Sequence, residues 1–284
     1  MRNRWLALAE EPGSLSPPIA LTPKARGAES GRNKEVREAW RQVVFHQLRT
    51  PAKYALNPKL MALPTAEHLQ ENFSMAPDGY GLPTLLSDLA GAHPEQFIEI
   101  GNRFCGFFPQ YTSVRLRPEK ALLRALSGGI HREASRVGKG ITFQTRSGQT
   151  VRAQQASDGA ILFLGFLTLA HLPDPPNVLL IEEPENGIYP KRLGEVIKLL
   201  KELMNRTEGV RFPQIIMTTQ SPYVLSHFRP EEVTFLSRPP EEPDGPVRAR
   251  PLRDAPNINE RLADGFYLGE VWYNISEEEL FGEP

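Results

Sequence analysis

The sequence predicts an α/β protein: a parallel core sheet flanked by helices, with a helical insert and a small β-hairpin. Three observations carry this. Short buried-type apolar runs at 177–182 and 214–219, followed by an alternating run at 232–237, read as strands. Helical patterns at 157–170, 190–206 and from 222 to 228 alternate with those strands, and that alternation implies a parallel sheet. Two alternating runs around Ser147-Gly148, over 140–154, read as the hairpin.

The elements follow in chain order. Residues 11–33 are rich in Pro, Gly and Ser and read as loop or disorder, so 1–33 is expected to be a disordered leader or the remnant of an N-terminal lobe. Residues 34–48 place Val36, Trp40, Val43 or Val44, and Leu48 near helical spacing. The run from Tyr54 reads as a short strand or turn stopped by Pro58. Helices are expected from Leu82 to Ala90 and from Glu95 to Phe108, the second with an apolar face built on Phe97, Ile100 and Phe104. Residues 112–118 alternate as a strand does. The resulting division is 34–150 as insert and hairpin lobe, 151–238 as core, and 239–284 as linker and C-terminal segment.

Bulk properties set the class. The chain has 284 residues, 40% hydrophobic and 24% charged, ordinary values for a globular protein. A net charge of −1 makes no overall case for nucleic acid. The single cysteine, Cys105, excludes an internal disulfide and reads as a small buried apolar residue. No apolar run approaches the ~20 residues of a membrane span, and no secretory signal is visible. A cytoplasmic location is the expectation.

Chemistry concentrates at three places. Val178-Leu-Leu-Ile-Glu182-Glu183 is an apolar strand that ends in two carboxylates. An ionised carboxylate beside an apolar core needs a cation or hydrogen-bond partners. Mg²⁺ on a nucleotide phosphate suits the first acid, and an attacking water suits the second. Ser157-Asp158-Gly159 opens a helix, and a helix N-terminus can take an anion or simply be capped by such residues. Gln220 ends the strand Ile215–Thr219 and can hydrogen-bond a phosphate oxygen or a water, but cannot take up a proton as histidine can.

In this order the three motifs, over 154–237, resemble the C-terminal half of an ABC-type ATPase of the SMC/RecF-like branch, and more narrowly the prokaryotic AAA-domain, ABC-type ATP-binding proteins. The fold implied is a partial ABC-ATPase fold. Within the resemblance, Ser157, Asp158 and Gly159 match the signature motif, which contacts the γ-phosphate of ATP held by the opposite subunit. Val178–Glu183 matches Walker B, with Glu182 as the metal acid and Glu183 as the catalytic acid. Glu185-Asn186-Gly187 matches the D-loop, and Thr218–Pro222, with Gln220, the switch motif. Asp78-Gly-Tyr-Gly and Phe108-Pro109 fall as in the family's helical insert, and Gly265–Trp272 looks like its terminal segment.

Three departures qualify what is implied. Gln220 stands where the switch histidine is usual, and Tyr189 where the D-loop usually has histidine. No Gly-x4-Gly-Lys-Ser/Thr P-loop occurs; Gly138-Lys139-Gly140 lacks both the upstream glycine and the following hydroxyl. The resemblance therefore implies ATP and Mg²⁺ only with a partner or a missing Walker A lobe, and a homo- or hetero-dimer sharing a composite site. The expected function is ATP hydrolysis within that site, in a process such as DNA repair or phage defence. The alternative is a non-hydrolysing pseudo-ATPase acting as a binding or regulatory subunit. Further expected partners are DNA or an effector protein: Arg115, Arg117, Lys120, Arg124, Arg132, Arg136 and Lys139 outnumber Glu119 and Glu133 between 115 and 139.

Overall fold

Continuous apolar runs make strands that are buried on both faces, and such strands form the centre of the sheet. The computed structural model describes residues 5–9, 51–66, 74–122, 135–173, 175–204, 214–238, 245–276 and 279. The helix expected at 34–48, and Arg124 and Arg132, lie outside them. In chain order the elements are β1 (Trp5–Ala9), β2 (Pro51–Tyr54), α1 (Pro58–Met61), β3 (Thr65–Ala66), α2 (Leu82–Ala92) and α3 (Pro94–Phe107). There follow β4 (Tyr111–Leu122), β5 (Ser135–Thr145), β6 (Thr150–Arg152), α4 (Asp158–Ala170), β7 (Val178–Glu182) and α5 (Pro190–Met204). The chain continues through β8 (Gln214–Thr219), α6 (Pro222–Leu225), β9 (Val233–Ser237), β10 (Arg248–Pro251), α7 (Ile258–Ala263) and α8 (Leu268–Asn274).

The first sheet has the order β10-β9-β1-β8-β7-β2. Its core is parallel: Tyr54 pairs with Ile181, and Ile181 with Met217. That register brings Glu182 level with Thr218, so the ends of β7 and β8 share one edge. Ligands gather at such C-terminal strand edges in open α/β sheets.

Two strands of this sheet stand where none was anticipated. Trp5–Ala9, within the stretch read as a leader or lobe remnant, forms β1 between β8 and β9 and runs antiparallel to both. Five residues without a charge, Trp-Leu-Ala-Leu-Ala, are enough to fill an inner position where two strands supply backbone partners. β10 is also antiparallel, on the far edge. The sheet is thus mixed, with a parallel β2-β7-β8 portion.

Helix α4 explains its own composition. Every residue from Ala160 to Ala170 is buried, as in a helix enclosed on all sides. It packs against α5, α1 and α3. Helix α5 is amphipathic instead and buries Leu193, Val196, Ile197, Leu200 and Leu203 at helical spacing.

The second sheet has the order β3-β5-β4, with β6 on β5. The hairpin anticipated at 140–154 is the β5–β6 pair, with Phe143 opposite Val151 and Gly148 at φ +84° in the turn. The strand expected at 112–118 extends to Leu122, because β5 pairs with β4 along its whole length. Beneath this sheet Phe104 is fully enclosed by Phe108, Tyr111 and Phe143, with ring centroids 5.0, 5.9 and 5.0 Å away. Cys105 beside it is a half-buried free thiol whose pKa burial pushes up, consistent with a packing role.

The C-terminal segment is held by a close approach. Helix α8 lies on α6, and a Cβ at Gly269 would collide with the Pro222 carbonyl. The obstacle is backbone, so it cannot swing away. Gly269→Ala is expected to cost about 1–3 kcal/mol, read as a fall in melting temperature. An unchanged melting curve would show that the helix is free to shift.

Candidate functional site

Strand β7 is apolar until its last residue, and its backbone then turns sharply. Glu183 has φ 44°, left-handed backbone that a residue with a Cβ rarely adopts. Such a residue stores roughly 1–3 kcal/mol that the surroundings must offset. Two backbone hydrogen bonds hold it there: Glu183 N–H donates to Thr218 O at 2.8 Å, and Asn186 N–H donates to Glu183 O at 3.0 Å. The turn aims the Glu183 side chain across the edge toward β8.

There the carboxylate is gripped at both oxygens. Asn186 Nδ2 donates to Oε2 at 2.6 Å, and Gln220 Nε2 donates to Oε1 at 3.0 Å. Because a carboxylate only accepts, both amides must present their NH₂ groups to it. The structure thus brings together Glu183, Asn186 and Gln220, three residues singled out from sequence.

A second carboxylate stitches the two loops together. Glu185 Oε1 accepts from Thr219 Oγ1 at 2.6 Å and from Gln220 N–H at 3.1 Å. Ser221 N–H in turn donates to Thr219 Oγ1 at 3.0 Å. The role of Glu185 went unread from sequence, where it stands only as the first residue of the D-loop match. Among the described residues, Glu185 Oε2 and Thr218 Oγ1 are buried without a hydrogen-bond partner. Polar atoms left so at a site edge are ready for a water or an incoming ligand.

Glu182 points elsewhere. Its Oε1 lies 2.7 Å from Lys53 Nζ, at the end of the neighbouring strand β2, with both side chains about half exposed. Lys53 is a second residue that sequence reasoning missed. It lies far from Glu182 along the chain and becomes its neighbour only because β2 pairs in parallel with β7.

The acids open onto a cavity of about 510 Å³. Asn57, Lys59, Asp158, Glu182, Glu183 and Asn186 line it. Asp158 therefore shares the lining of one cavity with the acid pair. Ser157 caps α4, its Oγ accepting from Ala160 N–H at 3.4 Å, and is exposed. Gly159 lies against the acid turn: a Cβ there would stand 3.1 Å from Gly187 O, and Gly187 itself has φ +85°. The two glycines let the start of α4 dock on the turn that carries Glu183 and Asn186.

The donor set suits a hard cation. Carboxylate oxygens are the ligands that Mg²⁺ takes, and it commonly uses one or two of them together with substrate phosphates. Among the described residues no three His, Cys, Asp or Glu side chains converge as a complete metal cage. Glu182 and the orphaned Thr218 hydroxyl opposite it in register fit the partial set that a phosphate would complete. No helix among the described residues is long and apolar enough to cross a membrane.

Comparison with known families returns one match on these residues. A family model described as "AAA domain, putative AbiEii toxin, Type IV TA system" matches residues 78–226, just over half of the chain. It takes in α4, β7, β8 and the turns that carry Glu183 and Gln220. No curated protein matches the chain.

Proposed function

The chain belongs to this AAA-domain family of ATPase-like nucleotide-binding proteins, and we propose that its acid cluster is the metal-and-water half of a composite ATP-hydrolysing site of the ABC type, in the SMC/RecF-like branch. The observation that supports this reading most is the Glu183 carboxylate, oriented by Gln220 and Asn186 beside Glu182 at the edge shared by β7 and β8.

In this reading Glu183 accepts a proton from the attacking water, whose oxygen bonds to the γ-phosphorus as the bond to the ADP oxygen breaks. Gln220 orients Glu183 and takes no proton. Glu182 holds the metal side of the site. Mg²⁺, when bound, would neutralise charge on the phosphates. Lys53, now paired with Glu182, is long enough to turn to a phosphate oxygen once that acid has another partner.

The phosphate cradle comes from outside these residues, since no P-loop pattern occurs among the 284. Exposed Ser157 and Asp158 are open to a second subunit, homologous or not, that carries such a loop. The natural setting is the cytoplasm, and the coupled process is of the DNA-repair or phage-defence kind.

A second reading has its own observation. The Lys53–Glu182 ion pair already neutralises the metal acid, and Gln220 replaces a titratable switch residue, as suits a subunit that binds without hydrolysing. Isothermal titration addresses the division of labour directly. The purified chain is expected to bind Mg-ATP no tighter than about 1 mM, roughly 4 kcal/mol. A micromolar Kd would show that the chain carries a complete site by itself.

A further inference from the structure

Glu182 ends β7 between two neighbours on one face of the sheet. Register sets Lys53 of β2 opposite Leu180, two residues before Glu182, and Thr218 of β8 opposite Glu182 itself. Residues opposite one another point to the same face, and two positions along a strand span about 7 Å. The lysine stem covers that step and sets Nζ 2.7 Å from Glu182 Oε1. On the other side, Thr218 Oγ1 is buried without a hydrogen-bond partner. Among the described residues, Glu182 is the one acid of the cavity lining that is held in an ion pair.

This pair is easily undone. Both side chains are about half exposed, and an ion pair in that setting adds little to stability. The backbone around the lysine is fixed by other means. Tyr54 is buried, and the N–H groups of Ala55 and Asn57 donate to Pro77 O and Asp78 O, each at 2.9 Å. A change of partner at Lys53 thus falls to the side chain alone. An ammonium with three rotatable donors on a flexible stem suits such an exchange.

We propose that Lys53 reserves Glu182 for a divalent cation that arrives with a polyphosphate, and shuts out the free cation. The inference rests on Glu182 being the metal acid of the nucleotide site proposed above. To take a free cation, Glu182 must give up the ammonium, which is then left unpaired beside a second positive charge. With a polyphosphate present, Lys53 passes to a phosphate oxygen as Glu182 takes the cation, and no charge is stranded. Cation and phosphate then favour each other's binding by the same factor. Lys53 is a specificity-determining residue in this exchange, and no covalent bond is made or broken through it. Lys59 lines the same cavity but forms no ion pair among the described residues, so it carries an equal charge without the pairing.

The test is water-proton relaxation with the full chain, using Mn²⁺ alone and then the Mn²⁺–tripolyphosphate complex. The parent chain is expected to bind the complex about tenfold or more tighter than Mn²⁺ alone. Lys53→Met should bind Mn²⁺ alone about tenfold or more tighter than the parent, and lose most of the preference for the complex. Lys53→Met/Glu182→Gln should lose that gain. Lys53→Arg keeps the charge and Lys59→Met removes one elsewhere, and both should stay within about threefold of the parent. Melting curves matched to the parent confirm that the variants fold, and Lys53→Gln is a second neutral variant expected to behave as Lys53→Met does. Equal Mn²⁺ affinity in the parent and Lys53→Met, lost in Glu182→Gln, overturns the role of Lys53 and leaves Glu182 as the metal acid. A gain that survives Glu182→Gln, an equal gain in Lys59→Met, or a parent without preference for the complex overturns it as well. Mn²⁺ binding by neither chain overturns it together with the metal assignment of Glu182.

Discussion

Glu183→Gln is expected to cut phosphate release by about 10²–10⁴-fold in any preparation where this chain hydrolyses ATP with its cradle-bearing partner. The substitution is nearly isosteric, yet it changes two things at once. It removes the group that takes the proton from water. It also places an NH₂ against either Gln220 Nε2 or Asn186 Nδ2, both of which are donors now satisfied at 3.0 and 2.6 Å. One of the two amides must flip or let go. Gln220→Glu serves as the comparison, since it sets a second carboxylate against Glu183 while leaving Glu183 itself in place. Steady-state assay of inorganic phosphate decides the matter, and unchanged turnover in Glu183→Gln would remove Glu183 from the chemistry.

Phe104→Ala is expected to destabilise the fold by about 3–5 kcal/mol, the range for emptying an aromatic site in a core. Phe104 is fully buried and stands among three other rings, on a helix that joins the insert to the second sheet. Phe108 and Phe143 are fixed by contacts of their own, Phe108 with Phe163 at 5.8 Å and Arg192 over its face at 4.4 Å. They cannot both collapse into the space. Thermal unfolding should fall by about 6–20 °C. Ile98, on the same helix but 60% exposed, is the control: Ile98→Ala should stay within about 0.5 kcal/mol. Similar losses at both positions would mean that α3 is not seated as described.

Legibility from sequence tracked burial. Strand β8 was readable to its ends and β7 to within one residue, because a buried parallel strand is an unbroken apolar run with polar stops. Helices α2, α3, α4 and α5 were readable to within one or two residues for the same reason. Strand β10 was not, since Arg-Ala-Arg-Pro has no strand pattern and owes its form to pairing with β9. The site divides likewise. Glu182, Glu183, Asn186 and Gln220 sit at strand ends and turns where chemistry shows in the residue types. Of their partners, Lys53 was not singled out, and Glu185 and Thr219 stood in the D-loop and switch matches without roles of their own, because each acquires its meaning from a residue that only pairing brings near. Asp158, singled out for a contact with another subunit, is exposed and lines the same cavity as Glu182 and Glu183.

Strand β1 has a consequence in time. Its partners in β8 and β9 come about 210 and 230 positions later in the chain. At a synthesis rate of about 5–20 residues per second, those partners emerge roughly 10–50 s after Trp5–Ala9. Through that interval β1 has neither partner, and its unpaired backbone groups are exposed to any other extended segment. Closing the loop is the slow, entropically costly step of building this sheet. The segment that lies sealed between two strands in the finished sheet is therefore, during synthesis, the one most open to a foreign strand.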